Sequence, residues 1–174
     1  MKTDKVDEIV KQWHKERPDI DTGPIEVIGR LVRTNHFIFP PLEQVYKEFG
    51  LNFGEFDVLA TILRSGAPYT LTPGQLLSSV MITSGALTNR LNKLEKGNLI
   101  NRSPDPKDGR SIQIKITTKG KNLISQVIES HLKIEKQILE CLSPQERTDL
   151  ASLLKKILLT FEPPLPLNQI SQNE

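Results

Sequence analysis

The chain has 174 residues, with 23 Lys or Arg, 21 Asp or Glu and a formal net charge of +2. That length suits one domain, or a small domain with an added helical layer. It holds no apolar run near the ~20 residues needed to cross a bilayer, and its lone Cys141 excludes an intrachain disulfide framework and fits a reducing cytoplasm.

The opening MKTDKVDEIVKQW carries acids where a signal peptide would be continuously apolar. From Asp4 to Arg17, Val6, Ile9, Val10 and Trp13 share one face at helical spacing. A linker from Asp19 to Gly23 follows. Pro24 suits a first helical position, and Ile25, Ile28, Leu31 and Val32 continue an apolar stripe. Pro40-Pro41 removes two backbone donors and predicts a kink or break, with a further helix through Phe49 and a stop at Gly50.

Asn52 and Glu55 form a capping-box signature for a helix that turns Phe56, Leu59, Ala60 and Leu63 inward. Tyr69–Leu71 suits a very short strand, and Thr72-Pro73-Gly74-Gln75 starts a short helix with Leu76, Leu77 and Val80. Met81 to Thr83 is the turn before the next helix, which Thr83 or Ser84 caps. In that helix Leu87, Leu91 and Leu94 face the core, while Thr88, Asn89, Asn92 and Lys93 point away and Arg90 sits at the boundary. Gly97 is its stop. Two helices of this size with a tight turn form a helix-turn-helix. Strands at Leu99–Arg102 and Ser111–Ile116, joined by a polar turn from Pro104 to Arg110, add a wing.

Thr117-Thr118 opens a long helix whose stripe is Leu123, Val127, Ile128, His131, Ile134 and Ile138. Ser143-Pro144-Gln145-Glu146 starts another, rich in Leu150, Leu153, Leu154, Ile157, Leu158 and Phe161. Glu162 to Glu174, with three prolines, reads as a disordered tail. The expected fold is mainly α with a small β-wing. Its parts are N-terminal helices over 1–50, a winged helix-turn-helix over 51–117, C-terminal helices over 118–161 and the tail over 162–174.

Charge points to a polyanion. Between Arg90 and Lys121 nine basic residues face three acids, a local charge of +6 that leaves −4 for the rest of the chain. Ser84, Thr88, Asn89, Arg90 and Lys93 are candidate contacts from the second helix to duplex DNA. Arg110 at the wing tip suits a minor groove or phosphate, and Lys107, Lys115 and Lys119 suit phosphates. The alternative is a winged-helix module used only for protein contacts. The terminal helices carry more apolar surface than so small a module needs, which points either to internal packing or to a two-fold dimer.

Other chemistry is not signalled. His14, His36, His131 and Cys141 share no metal-ligand spacing, so no metal or cofactor is expected. No phosphate loop, nucleophile elbow or catalytic carboxylate pair stands out, so the chain does not read as an enzyme. Cys141 reads as a buried structural thiol beside Leu139 and Leu142.

SGALTNRLNKLEKGNLINRSPDPKDGRSIQIKITTKGKNLI closely resembles the winged helix-turn-helix of MarR-family transcriptional regulators, with DGRS at the wing and TTKGK entering the next helix. The resemblance runs from about Ile25 to Phe161. It implies an obligate homodimer on a pseudo-palindromic operator, a dimerisation layer from both termini, and regulation by small ligands bound between the layers. An added N-terminal helix with a tryptophan, together with GEFDVLATILRSG and SGALTNR, resembles the urate-responsive branch of that family. Trp13, Asp57, Arg64, Arg90 and Arg102 are then the implied residues for a small anionic ligand such as urate. Asp57 and Arg64 are seven residues apart on one helix face, so the Asp57 carboxylate is expected to pair with Arg64 or Arg90. A surface pair of little consequence is the alternative for Asp57 and Arg64.

Overall fold

The computed structural model describes residues 2–81, 84–105 and 111–162, and only the backbone of Ser84. Ten elements follow in order: α1 (Lys5–Glu16), α2 (Gly23–Glu48), α3 (Phe53–Arg64), β1 (Thr70–Leu71), α4 (Pro73–Leu77), α5 (Ser84–Lys96), β2 (Ile100–Pro104), β3 (Ile112–Ile116), α6 (Thr118–Ile138) and α7 (Pro144–Leu158). The architecture is mainly helical with a three-stranded antiparallel sheet ordered β1-β3-β2. The chain divides into two compact units, Met1–Ile134 and Glu135–Glu174.

Helix starts follow the side chains available to satisfy free N–H groups. Asp4, Asn52, Thr72 and Ser143 each cap a helix and each receives the reciprocal contact from the residue three further on. α5 ends at Lys96, directly before Gly97, as expected, but the left-handed turn comes one residue later. Asn98, not Gly97, adopts the left-handed conformation with φ 56°, and the N–H groups of Asn98 and Leu99 donate to the carbonyls of Glu95 and Leu94. This is the Schellman pattern, which an apolar contact by the residue just after the left-handed one frequently accompanies. Leu99 supplies an apolar side chain there, buried as Leu94 is; a left-handed Gly97 would have put polar Asn98 in that place.

Of the kink or break expected at Pro40-Pro41, the break and the separate helix after it are absent, because α2 runs through both prolines for 26 residues. Each proline lacks one donor, but Leu42, Val45 and Tyr46 directly after them are buried and hold this half of α2 in the core. Tyr46 stacks on Phe56 at 4.6 Å, and its hydroxyl lies 3.0 Å from His131 Nδ1, which joins α2, α3 and α6. At the other end of α2, Arg30 donates to Asp4 and Asp7, and Val6 of α1 seats against Gly29.

α3 is the central helix. Val58, Leu59 and Ile62 are fully buried and Phe56 nearly so, while Ala60 and Leu63 are only half-buried, so more of this helix is enclosed than its expected stripe. In the sheet, Arg102 lies opposite Ile114 and Asn101 opposite Lys115. Ile114 and Ile116 face the core, but Ile112 is exposed. The Asp105 N–H donates to the Ser111 carbonyl and closes the base of the hairpin. On α6 the buried positions are Gly120, Ile124 and Val127, with Leu123, Ile128, His131 and Ile134 half-buried beside them.

In the second unit, Leu150, Leu153, Leu154, Ile157, Leu158 and Phe161 of α7 and its end are all exposed. Cys141 is exposed too, contrary to the expected buried thiol. It falls just beyond α6 in a turn of this small unit, where no described side chain encloses it. Residues 163–174, where most of the tail was expected, lie outside the described residues.

Candidate nucleic-acid interface

α4 and α5 present the helix-turn-helix. Burial of Leu87, Leu91 and Leu94 on one side of α5 leaves Thr88, Asn89, Asn92 and Lys93 exposed on the other, with Arg90 half-buried at the edge. Short side chains with both donors and acceptors can meet base edges in a major groove wide enough for a helix. Lys107 and Arg110, and the side chain of Ser84, lie outside the described residues. Lys115 is exposed on β3, and Lys119 Nζ donates to the Gly97 carbonyl at 3.0 Å.

The arginines expected to hold a ligand are engaged within the fold. Arg102 on β2 donates to Asn92 Oδ1 at 2.7 Å and sits 3.5 Å from Glu95, which fastens the wing to α5. Arg90 extends along the first turn of α3, where a Cβ at Gly54 would come within 3.1 Å of its Nε. Its Nη1 is 3.8 Å from Glu55 Oε1, and Lys93 Nζ is 2.9 Å from the same oxygen. Glu55 itself is 1% exposed. Sequence reading found Glu55 only as a capping residue. Its second partner, 38 positions along the chain, leaves no periodic signal.

Asp57 is buried on α3, and its Oδ2 accepts the Met81 backbone N–H at 2.5 Å. Among the described residues it forms no ion pair with Arg64 or Arg90, contrary to expectation. Arg64 turns to the Ser79 carbonyl instead, at 2.5 Å. Both side chains therefore grip residues 79–81, the segment leading from α4 toward α5. The expectation failed because a backbone amide at the turn lies within reach of the carboxylate and is itself in need of an acceptor. Burial pushes the Asp57 carboxyl above the usual carboxylate range; the Met81 hydrogen bond and the positive charge of Arg64 pull the other way.

Trp13 stands apart. It is 42% exposed on α1, and no hydrogen bond or ring contact among the described residues ties it to Asp57, Arg64, Arg90 or Arg102. The described residues contain no group of His, Cys, Asp or Glu fit to hold a metal ion. None of their helices is long and apolar enough to cross a membrane.

Comparison with known proteins agrees with this geometry. Residues 51–112 match the family model described as MarR family. The chain is 41% identical over 153 residues to the HTH-type transcriptional regulator PecS of Dickeya dadantii, covering 88% of this chain and 92% of that protein. A mutant Escherichia coli MarR crystallised with operator DNA superimposes with a TM-score of 0.68 at 26% identity, over 80% of this chain and 99% of that one. AbsC, a MarR family regulator from Streptomyces coelicolor, shares the fold with a TM-score of 0.72 at 20% identity, over 81% of this chain and 96% of that one.

Proposed function

Given that the chain belongs to the MarR family of transcriptional regulators, we propose that it is a homodimeric operator-binding repressor released by a small anionic aromatic ligand such as urate. Thr88 and Asn89 read base edges, with the wing that carries Arg110 and Lys107 on the flanking backbone. One reading helix per chain means a pseudo-palindrome with half-sites about one helical turn, ~34 Å, apart. Residues 51–117 form the DNA-binding part, and 1–50 with 118–161 form the dimerisation layer. The exposed apolar side chains of α7 support this layout, since an unpartnered stripe of that size marks a contact surface.

The observation that carries the ligand reading is the grip of Asp57 on Met81. An anion entering beside Arg64 competes for its guanidinium and repels the buried carboxylate, because like charges in a poorly solvated site are costly. Asp57 then releases the Met81 amide, and the turn that sets the pose of α5 is freed. Couplings of this kind are ~1–3 kcal/mol, or roughly 5- to 150-fold in affinity.

The test is the operator affinity with and without saturating urate, measured on duplex from the upstream region of the protein's own gene. In wild type the affinity falls with ligand. Asp57→Asn keeps the shape, removes the charge and loses most of that fall. A ratio in Asp57→Asn equal to that in wild type removes Asp57 as the coupler.

A further inference from the structure

Glu55 and Gly54 together make a seat for the cations of α5. Gly54 leaves the space along which the Arg90 side chain runs, since a Cβ there would meet Arg90 Nε at 3.1 Å, Cδ at 3.4 Å and Cγ at 3.4 Å. Glu55 supplies the charge. Its Oε2 accepts the Asn52 N–H at 3.1 Å, and its Oε1 accepts from Asn52 Nδ2 at 2.9 Å and faces Lys93 Nζ at 2.9 Å. A carboxylate this enclosed is costly unless its oxygens are satisfied. Here one oxygen serves the helix cap while the other also holds α5.

We propose that Glu55 is a positioning residue for DNA recognition: it withholds Lys93 from the phosphate backbone and fixes the rotation of α5 relative to α3. This rests on the operator-binding reading above. An ammonium free to roam would bind any duplex, because phosphate contacts carry no sequence information. Held at 2.9 Å by a buried acid, it contributes to the orientation of the helix instead. Arg90 is held more loosely, at 3.8 Å from the same oxygen and with its buried Nε lacking a hydrogen-bond partner among the described residues. Lys93 is therefore the main tether.

The predicted signature separates charge from fold. Glu55→Gln keeps an acceptor for the cap and releases Lys93, so binding to random duplex gains about one phosphate contact and its salt slope steepens by roughly one. The operator-to-random affinity ratio falls by roughly tenfold, the effect of one charged hydrogen bond. Lys93→Gln also loses the tether and lowers the ratio, but frees no ammonium and does not steepen the slope. The double variant behaves as Lys93→Gln. Lys93→Gln leaves Glu55 and its cap in place, so it carries the test even where Glu55→Gln folds poorly.

An ammonium already on a phosphate in wild type would give a shallower slope in Lys93→Gln and none of the steepening in Glu55→Gln; that result overturns the proposal. So does a ratio unchanged in both variants. A wild-type protein that binds no duplex overturns the operator-binding reading itself, so the two failures are distinct.

Discussion

The carbonyl oxygen of Leu99 occupies the place where a Cβ on Gly120 would stand. The first turn of α6 is thereby pressed directly onto the start of the wing. Thr117 adds to the junction: its N–H donates to the Leu99 carbonyl at 3.0 Å, and its hydroxyl donates to the Asn98 carbonyl at 2.8 Å.

Gly120→Ala should therefore be among the costlier single-methyl substitutions in this chain. The nearest obstruction is the Leu99 backbone, which cannot swing aside as a side chain could, and Ile116 Cγ1 would also lie 2.9 Å from the new Cβ. Overpacking of this kind costs about 1–3 kcal/mol. Urea denaturation followed by circular dichroism checks it, and an unchanged midpoint would show that the helix and wing can separate freely.

Asp57 should titrate above the usual carboxylate range when its carboxyl carbon is followed by NMR. Arg64 lowers that value, so Arg64→Gln should move the midpoint further up. The raised folded value also fixes a sign. The folded state binds this proton more tightly than the unfolded chain, so Asp57 lowers stability as pH rises from the unfolded to the folded midpoint. Asp57→Asn should flatten stability against pH in that window. A midpoint below the usual value would contradict the burial.

Pro41→Ala should stabilise the protein. It restores a donor in the interior of α2, where proline costs ~3 kcal/mol, against a loss of ~0.4–1 kcal/mol from a freer unfolded chain. A net gain of about 2 kcal/mol should raise the melting temperature by several degrees. No rise would mean that local distortion already accommodates the ring.

Leu154→Glu should weaken self-association. Leu154 is 39% exposed on α7 and lies among other exposed apolar side chains. A two-fold contact uses each such residue twice, so losing ~1.5–3 kcal/mol per leucine weakens the dimer by 100-fold or more. Sedimentation equilibrium would reveal it, with the helical signal of the chain retained. Equal dimer constants for both proteins would exclude this face.

Local rules carried much of the fold. Asn52 with Glu55, Thr72 with Gln75 and Ser143 with Glu146 are three-residue relationships, and the structure forms all three boxes. The Leu87, Leu91 and Leu94 spacing set the buried side of α5 for the same reason. What escaped the sequence depends on chain folding. Nothing near Pro40 and Pro41 announces that Leu42, Val45 and Tyr46 will hold the helix together. Asp57 reaches Met81 and Glu55 reaches Lys93 only because α3 packs beneath the helix-turn-helix. Family resemblance picked out Asp57 and Arg64, but the pairing read from charge and a shared helix face misassigned their partners, since a shared face does not say which group lies nearest.

Arg30 binds Asp4 and Asp7 where all three side chains are 38–51% exposed, and exposed pairs of this sort add little to stability. Beneath them α1 buries only Val6 and Val10. An element attached so lightly opens at far lower cost than α3, which lies in the core. The chain's one tryptophan, Trp13, rides on it. Its emission is thus a gauge of peripheral melting, while the far-UV signal reports the interior. On heating, the first should change at a lower temperature than the second, so the molecule carries its own record of the order in which it comes apart.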